Sequence, residues 1–166
     1  TASSHNRAFI IETMGHTSGY LAFQAGIVSG AEMVLIPESQ ITPEEVAGAI
    51  EKAYRSGKTH AIIVVAEGFS LHANELGKKI DTMGVGFTTR VTILGHIQRG
   101  GSPTAYDRLL ATRFGFKAVE FLLSGLSNVM VGLNGKEITP VPIDDVISNT
   151  KKISEESLHM LDVLSK

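Results

Sequence analysis

Four short apolar runs rich in β-branched residues punctuate the first part of the chain: AFIIET at 8–13, EMVLIP at 32–37, HAIIVVAE at 60–67 and TRVTILG at 89–95. They show little polar alternation, the pattern of strands covered on both faces, and so predict a parallel sheet. Stretches of helical period lie between them. In TPEEVAGAIEKAYRSGK, at 42–58, Thr42 can cap, Pro43 suits the first turn and Glu45 completes a capping box, while Val46, Ile50, Ala53 and Tyr54 line one face. The segment 18–29 is apolar almost all round, with Ala22, Ala25 and Gly26 small enough for close packing, which predicts a helix covered on several sides. A third helix is expected over 74–83. Ser102 and Pro103 open a fourth that runs towards Ser124, with Gly115 as a candidate kink.

This alternation of strand and helix is the grammar of an α/β protein: a three-layer, open parallel sheet of Rossmann type with right-handed crossovers. After Gly125 the pattern changes. NVMVGLNGKEITPVPID carries Asn134-Gly135, a strong hairpin signal, and predicts a short antiparallel addition near the C-terminus. The segment 154–166 reads as a terminal helix with Leu158, Leu161 and Leu164 on or near one face. No internal repeat or low-complexity segment interrupts the pattern.

The 166 residues suit about one domain, and 43% hydrophobic with 19% charged residues is ordinary globular usage. No apolar run approaches the roughly 20 residues that cross a bilayer, and the N-terminal TASSHNR lacks the apolar stretch of a secretory signal. A cytoplasmic protein without membrane contact is expected. Cysteine is absent, which removes disulfides, thiolate zinc sites and thiol nucleophiles. A formal charge of -2 carries no basic excess, so nucleic acid is not the expected partner.

In an open α/β sheet ligands bind beyond the carboxyl ends of the strands, so each strand end deserves reading for chemistry. The first run leads into Met14, Gly15, His16, Thr17, Ser18 and Gly19, a glycine-flanked turn that delivers the chain to a helix N-terminus. Free N–H groups and the positive end of a helix dipole there would suit an anion. The third ends in Ala66, Glu67 and Gly68, and a carboxylate at that edge suits sugar hydroxyls better than phosphate. The fourth ends in Gly95, His96, Ile97, Gln98, Arg99, Gly100 and Gly101. Its glycines admit a close ligand, Arg99 offers a bidentate fork and His96 a donor that can become cationic. Taken singly, the glycines are also ordinary turn residues, His96 a structural histidine and Glu67 a solvated charge. Three such ends on one crevice favour a site for a sugar phosphate or similar anion. No Walker loop, GxGxxG, HExxH or GxSxG pattern competes with it.

The stretches MGHTSGYLA, GAEMVLIPE, VVAEG and above all RVTILGHIQRGGSPTAYDRLLATRFGFKAVE closely resemble the C-terminal, fructose 6-phosphate-binding half of the 6-phosphofructokinases. The resemblance spans nearly the whole chain, and its LGHxQRGGSPxxxDR pattern is highly specific. It implies that Met14, Gly15 and His16 lie against fructose 6-phosphate, that Glu67 holds sugar hydroxyls, and that His96 and Arg99 grip the 6-phosphate. It further implies that Arg7 and Arg90 reach that phosphate across a subunit interface, so a complete site needs a homo-oligomer. Gly30 and Glu32 match the part of bacterial members that takes an effector nucleotide's magnesium, and Lys58, with His60 nearby, a phosphate-binding position. His16 departs from the family's usual arginine, and a neutral imidazole supplies less than a guanidinium fork.

The family's glycine motif for ATP, its catalytic base and its Mg2+ ligands belong to a half that precedes Thr1, so the chain alone is expected to be inactive. The resemblance also implies a domain division: 1–97 in the substrate domain, 98–148 in the nucleotide domain, and 149–166 returning to the substrate domain. The complete enzyme would phosphorylate fructose 6-phosphate at the 1-hydroxyl from ATP or pyrophosphate. The alternatives are a noncatalytic regulatory half that binds an effector sugar bisphosphate or nucleotide, and a relative that uses another sugar phosphate.

Overall fold

The computed structural model describes residues 6–149 and 153–164. Its elements run β1 (Arg7–Thr13), α1 (Tyr20–Ser29), β2 (Met33–Leu35), α2 (Pro43–Arg55), β3 (His60–Ala66), α3 (Ala73–Met83), β4 (Thr88–Ile93), a 3₁₀ turn (Gly95–Gln98), α4 (Ala105–Leu123), β5 (Val129–Asn134), β6 (Glu137–Pro142), α5 (Ile143–Ser148) and α6 (Glu155–Leu164). The chain divides into two compact units, Thr1–Arg99 with Lys152–Lys166, and Gly100–Lys151.

The first unit is built on four parallel strands in the order β2-β3-β1-β4. Each strand's neighbour is fixed by which side chains it must bury. Ala8 and Ile10 of β1, Leu35 of β2, and Ala61, Ile63 and Val65 of β3 point to one face, where they meet Val46, Ala47, Ile50 and Ala53 of α2 and Ala73, Leu76 and Ile80 of α3. On the other face Val34, Ile36, Val64 and Ala66 pack with Ala22 of α1, and Ile153 and Leu158 add partial cover. Ten large side chains in these layers are essentially inaccessible, Ile10, Ile50, Ile63 and Leu76 among them. At roughly 1.5–3 kcal/mol for each such side chain, their burial outweighs any single polar contact in this unit.

α2 begins as its sequence dictates. The Thr42 hydroxyl accepts from the Glu45 N–H, and the Glu45 carboxylate accepts from the Thr42 N–H at 2.7 Å, with Pro43 in the first turn. These hydrogen bonds hold the Glu45 carboxyl below its ordinary value of 4.5, the backbone N–H of Thr42 contributing most. α1 sits close to β2 because Gly26 carries no side chain: a Cβ there would lie 2.1 Å from Val34 Cγ2.

Three expectations need correction here. α1 is buried along Ala22, Phe23 and Gly26 only, while Leu21, Ala25 and Val28 are exposed, so it is covered on one side. β2 is three residues long, because Ile36 and Pro37 leave the ladder for a turn in which the Ser39 N–H donates to the Ile36 carbonyl. β4 is not covered on both faces: Thr88, Arg90 and Thr92 are exposed, and its one ladder is with β1. An apolar run identifies a strand, but not how many helices lie across it.

In the second unit, α4 starts at Ala105 and is capped by Thr104, two residues beyond the expected Ser102. Its capping box pairs the Thr104 hydroxyl with the Asp107 N–H and the Asp107 carboxylate with the Thr104 N–H at 2.8 Å. Those bonds, the Thr104 hydroxyl's first, hold the Asp107 carboxyl below its ordinary value. The helix continues through Gly115 to Leu123, and none of its residues is buried. β5 and β6 form the antiparallel hairpin, with Asn134 opposite Glu137 and Gly135 and Lys136 as the two-residue loop. The positive φ of 61° falls on Gly135, the residue able to adopt it without strain. The turn is therefore shifted by one residue from the Asn-Gly pair. α5, a single short helix, carries no strong periodic signal and was not anticipated. Of the terminal helix, Leu158 is half-buried; the side chains of Leu161 and Leu164 lie outside the described residues, as does the end of the expected helix at 165–166.

Candidate functional site

The sheet order places β1 between β3 and β4, so the three strand ends that carry polar residues are neighbours in space as well as in chemistry. β1 and β3 end level, Thr13 beside Ala66, and Glu12 lies beside Ile93 of β4. The ladder continues one step into each loop: the Glu67 N–H donates to the Thr13 carbonyl at 2.9 Å and the Leu94 N–H to the Glu12 carbonyl at 3.0 Å. The crossover that leaves β1, through α1, and the one that leaves the adjacent β3, through α3, depart from this edge to opposite faces of the sheet. That is the switch point at which open α/β sheets bind ligands.

The turn after β1 is held by its neighbours. The Gly15 N–H donates to Glu67 Oε1 at 3.3 Å, the Gly68 N–H to the Gly15 carbonyl at 3.1 Å, and the Met14 N–H to Gln98 Oε1 at 2.8 Å. Gly68 is a requirement of this packing: a Cβ there would stand 1.9 Å from the His16 carbonyl oxygen and 2.9 Å from that of Gly15. Gly15 itself has φ of 141°, and its own Cβ would meet the Ser18 carbonyl at 2.7 Å. Met14 and Gly15 are half-buried and His16 is exposed. His96 lies within the 3₁₀ turn and Arg99 ends it, both with exposed side chains. Met14, Gly15, Glu67, His96 and Arg99 are thus gathered on one edge, with a carboxylate on the β3 side and two potential cations on the β4 side.

The expectation that free N–H groups of the first turn suit an anion is corrected. Met14 and Gly15 give their N–H groups to Gln98 and Glu67, and Gly19, at the head of α1, gives its N–H to both oxygens of Glu38, at 3.0 and 3.1 Å. Glu38 takes the Gly19 N–H at the head of α1, so the cationic groups this chain itself offers at the edge are Arg99 and, when protonated, His96. Sequence reasoning missed Gln98, Glu38 and Glu12 as organising residues. Glu12 is a buried acid, 8% exposed, whose Oε2 accepts from the Ala73 N–H at the start of α3 at 3.0 Å. The signal that could have found it is an acid ending an apolar strand, where burial demands a partner.

Arg7 and Arg90 are not brought to this edge. Arg7 opens β1 level with His60 and Thr88, about 23 Å of strand away from Met14. Arg90 lies opposite Phe9, roughly 10 Å short of the end of β4. Gly30, Glu32, Lys58 and His60 gather at the opposite edge of the sheet. Gly30 closes α1 with φ of 66°, Lys58 Nζ stands 3.2 Å from Glu32 Oε1, and Glu32 Oε2 accepts from the Ile62 N–H. His60 Nδ1 lies 3.3 Å from the Thr59 hydroxyl. Glu32 therefore stitches β2 to β3 and neutralises Lys58 within the chain. Among the described residues no three His, Asp or Glu side chains converge as a metal site.

A parallel sheet with helices on its faces, and with acid and base side chains at the carboxyl edge of its strands, defines the class: an open-sheet α/β protein. The chain belongs to the phosphofructokinase family, whose model matches residues 1–122. It is 47% identical over 165 residues to the ATP-dependent 6-phosphofructokinase of Thermotoga neapolitana, covering 99% of this chain and 51% of that one. It is 45% identical to the protein of that name from Halothermothrix orenii, with 99% and 53% covered. The chain thus spans about half the length of these curated relatives.

Among solved structures, it superposes with a TM-score of 0.80 on Pichia pastoris phosphofructokinase in the T-state, at 28% identity, covering 99% of this chain and 18% of that one. For Saccharomyces cerevisiae phosphofructokinase the TM-score is 0.78 at 34% identity, with 88% and 21% covered. The pyrophosphate-dependent enzyme of Nitrosospira multiformis shares the fold, with a TM-score of 0.75 at 20% identity over 92% of this chain and 43% of that one.

Proposed function

We propose that this chain is the C-terminal, sugar-phosphate-binding half of a 6-phosphofructokinase, and that its site holds the acceptor, fructose 6-phosphate. One observation carries the reading: Glu67 and the Met14–Gly15 turn meet the 3₁₀ turn bearing His96 and Arg99 at a single strand edge. Glu67 accepts hydrogen bonds from sugar hydroxyls through the lone pairs that Gly15 leaves free, while Arg99 and His96 take the phosphate dianion. His16, exposed beside them, adds a weaker contact than an arginine would.

Phosphoryl transfer relies on positioning and charge neutralisation, and this half fixes where the acceptor hydroxyl lies. The phosphoryl donor, its Mg2+ and the general base fall in this reading to residues outside the chain. The relatives named ATP-dependent, at 44–48% identity, support ATP as donor over pyrophosphate. Arg7, some 23 Å of strand away from Met14, serves the site of another copy, as does Arg90, which calls for a homo-oligomer. The compact units meeting at Arg99 and Gly100 and again at Lys151 and Lys152 support a substrate-domain portion at 1–97 and 149–166 and a nucleotide-domain portion at 98–148.

The test is calorimetric titration of fructose 6-phosphate into the chain, beside Arg99→Ala and beside fructose 1,6-bisphosphate. Saturable binding of fructose 6-phosphate that Arg99→Ala weakens at least tenfold is expected, since a charge-assisted hydrogen-bond pair to phosphate is worth about 1.5–3 kcal/mol. Binding by a folded chain that Arg99→Ala leaves unchanged would overturn the reading. Tighter binding of the bisphosphate than of fructose 6-phosphate would favour a regulatory half instead.

A further inference from the structure

Two consecutive backbone N–H groups in the turn after β1 are held by side chains from the loops that follow the two flanking strands. Gly15 is held from the β3 side by Glu67, and Met14 from the β4 side by Gln98, 84 residues away in sequence. The two holds differ in kind. In the function proposed above Glu67 must also serve the ligand's hydroxyls, so its grip on Gly15, long at 3.3 Å, is the one a bound sugar competes for. The Gln98 contact is shorter, at 2.8 Å, and uses an uncharged amide that a phosphate has no reason to draw away.

Gln98 is also the last residue of the 3₁₀ turn. Arg99 follows it directly in extended conformation, φ -96° and ψ 146°, with its N–H returned to the His96 carbonyl at 2.9 Å. Whatever fixes Gln98 therefore fixes both the shape of the Met14–Gly15–His16 turn and the point from which Arg99 leaves the backbone.

We infer that Gln98 is a positioning residue that couples the two walls of the site: its side-chain carbonyl, accepting the Met14 N–H, keeps the sugar-facing turn of β1 and the phosphate-facing turn of β4 in register when Glu67 turns to a ligand. The functional half of this inference rests on the fructose 6-phosphate reading, whereas the structural half does not. The next residue, Arg99, would touch the ligand; Gln98 acts through Met14 and through the turn that carries Arg99.

The test uses the 166-residue chain with two variants. Gln98→Leu, one atom shorter, keeps an apolar side chain there and removes the acceptor; Gln98→Glu keeps an acceptor at the same atom. Backbone amide exchange at Met14, followed by NMR with Ile10 in the core as internal reference, should be about fivefold faster in Gln98→Leu and restored towards wild type in Gln98→Glu, the scale of one net hydrogen bond. Unchanged exchange in Gln98→Leu, or equal acceleration in both variants, would overturn the latch, the second because it would report packing and not acceptance.

Titration with fructose 6-phosphate then reads the coupling. Weakening in Gln98→Leu supports it and an affinity indifferent to Gln98→Leu overturns it; Gln98→Glu is read by exchange alone, because its charge beside Arg99 would itself repel a phosphate. Should the wild-type chain bind no fructose 6-phosphate, the functional reading fails and the coupling built on it fails with it, while the Met14 exchange still decides the latch.

Discussion

Replacing Gly68 by alanine adds one methyl group, and the structure puts that methyl 1.9 Å from the His16 carbonyl oxygen, 2.6 Å from its carbon and 2.9 Å from the Gly15 carbonyl oxygen. All three neighbours are backbone, so no rotamer change relieves the contact. To reach an ordinary van der Waals separation the β1 turn must retreat from the β3 loop by about 1.5 Å, more than a packed site absorbs without strain of roughly 1–3 kcal/mol. The retreat also breaks the hydrogen bonds that cross this gap, from the Gly68 N–H to the Gly15 carbonyl and from the Gly15 N–H to Glu67. Each contributes about 0.5–1.5 kcal/mol net.

The expected loss is about 2–6 kcal/mol in urea unfolding, with fructose 6-phosphate affinity reduced at least tenfold because Met14, Gly15 and Glu67 part together. Gly48→Ala is the matched control. It lies within α2 with nothing near its Cβ position, so the same added methyl should stabilise by about 0.5–1 kcal/mol. A Gly68→Ala chain within 0.5 kcal/mol of wild type and unaltered in sugar phosphate binding would refute the close approach of the two loops, and with it the geometry of the site.

Other changes separate the roles of neighbouring acids. Glu67→Gln keeps an acceptor for the Gly15 N–H, so stability should stay within about 1 kcal/mol of wild type while fructose 6-phosphate binds more weakly; an equal fall in both would show that Glu67 is structural only. Glu12→Ala strands the buried Ala73 N–H and should cost about 1–3 kcal/mol in unfolding experiments, whereas Glu12→Gln should recover most of it. The Glu45 carboxyl is held below its ordinary 4.5 by its bonds to Thr42, so its contribution is present above that value and is lost as pH falls through the lower folded value. The stability gap between wild type and Glu45→Ala should accordingly be constant near neutral pH and close below about pH 4.5; a gap that widens on acidification would reverse the assignment.

Much of the fold follows from local rules that act within a few residues. The capping box of Thr42 and Glu45 lies where the sequence pattern puts it, because its two hydrogen bonds are made within one turn of chain. The four strands were legible for a similar reason: short runs of β-branched apolar residues favour extended chain, whatever covers it. Local rules erred where two near-equal options lay side by side. Thr104 took the cap from Ser102 because Asp107 stands three residues on from the threonine, and the hairpin loop moved by one residue to put the positive φ on glycine.

The site divides along the same line. Glycine-rich strand ends with Glu67, His96 and Arg99 could be read as a group once a parallel sheet was expected, since every such strand ends at the same edge. The chain by itself determined most of the element types, the parallel sheet and the set of strand-end residues proposed to hold a sugar phosphate. Only the tertiary structure decided that β1 lies between β3 and β4, that Gln98 and Glu67 take the Met14 and Gly15 N–H groups, that Glu38 fills the head of α1, and that Arg7 faces the far edge. The physical reason is range. Propensity and capping are settled by neighbours along the chain, whereas the partner of a buried or half-buried N–H is whichever acceptor the crossovers bring near, here from residues 19 to 84 positions away.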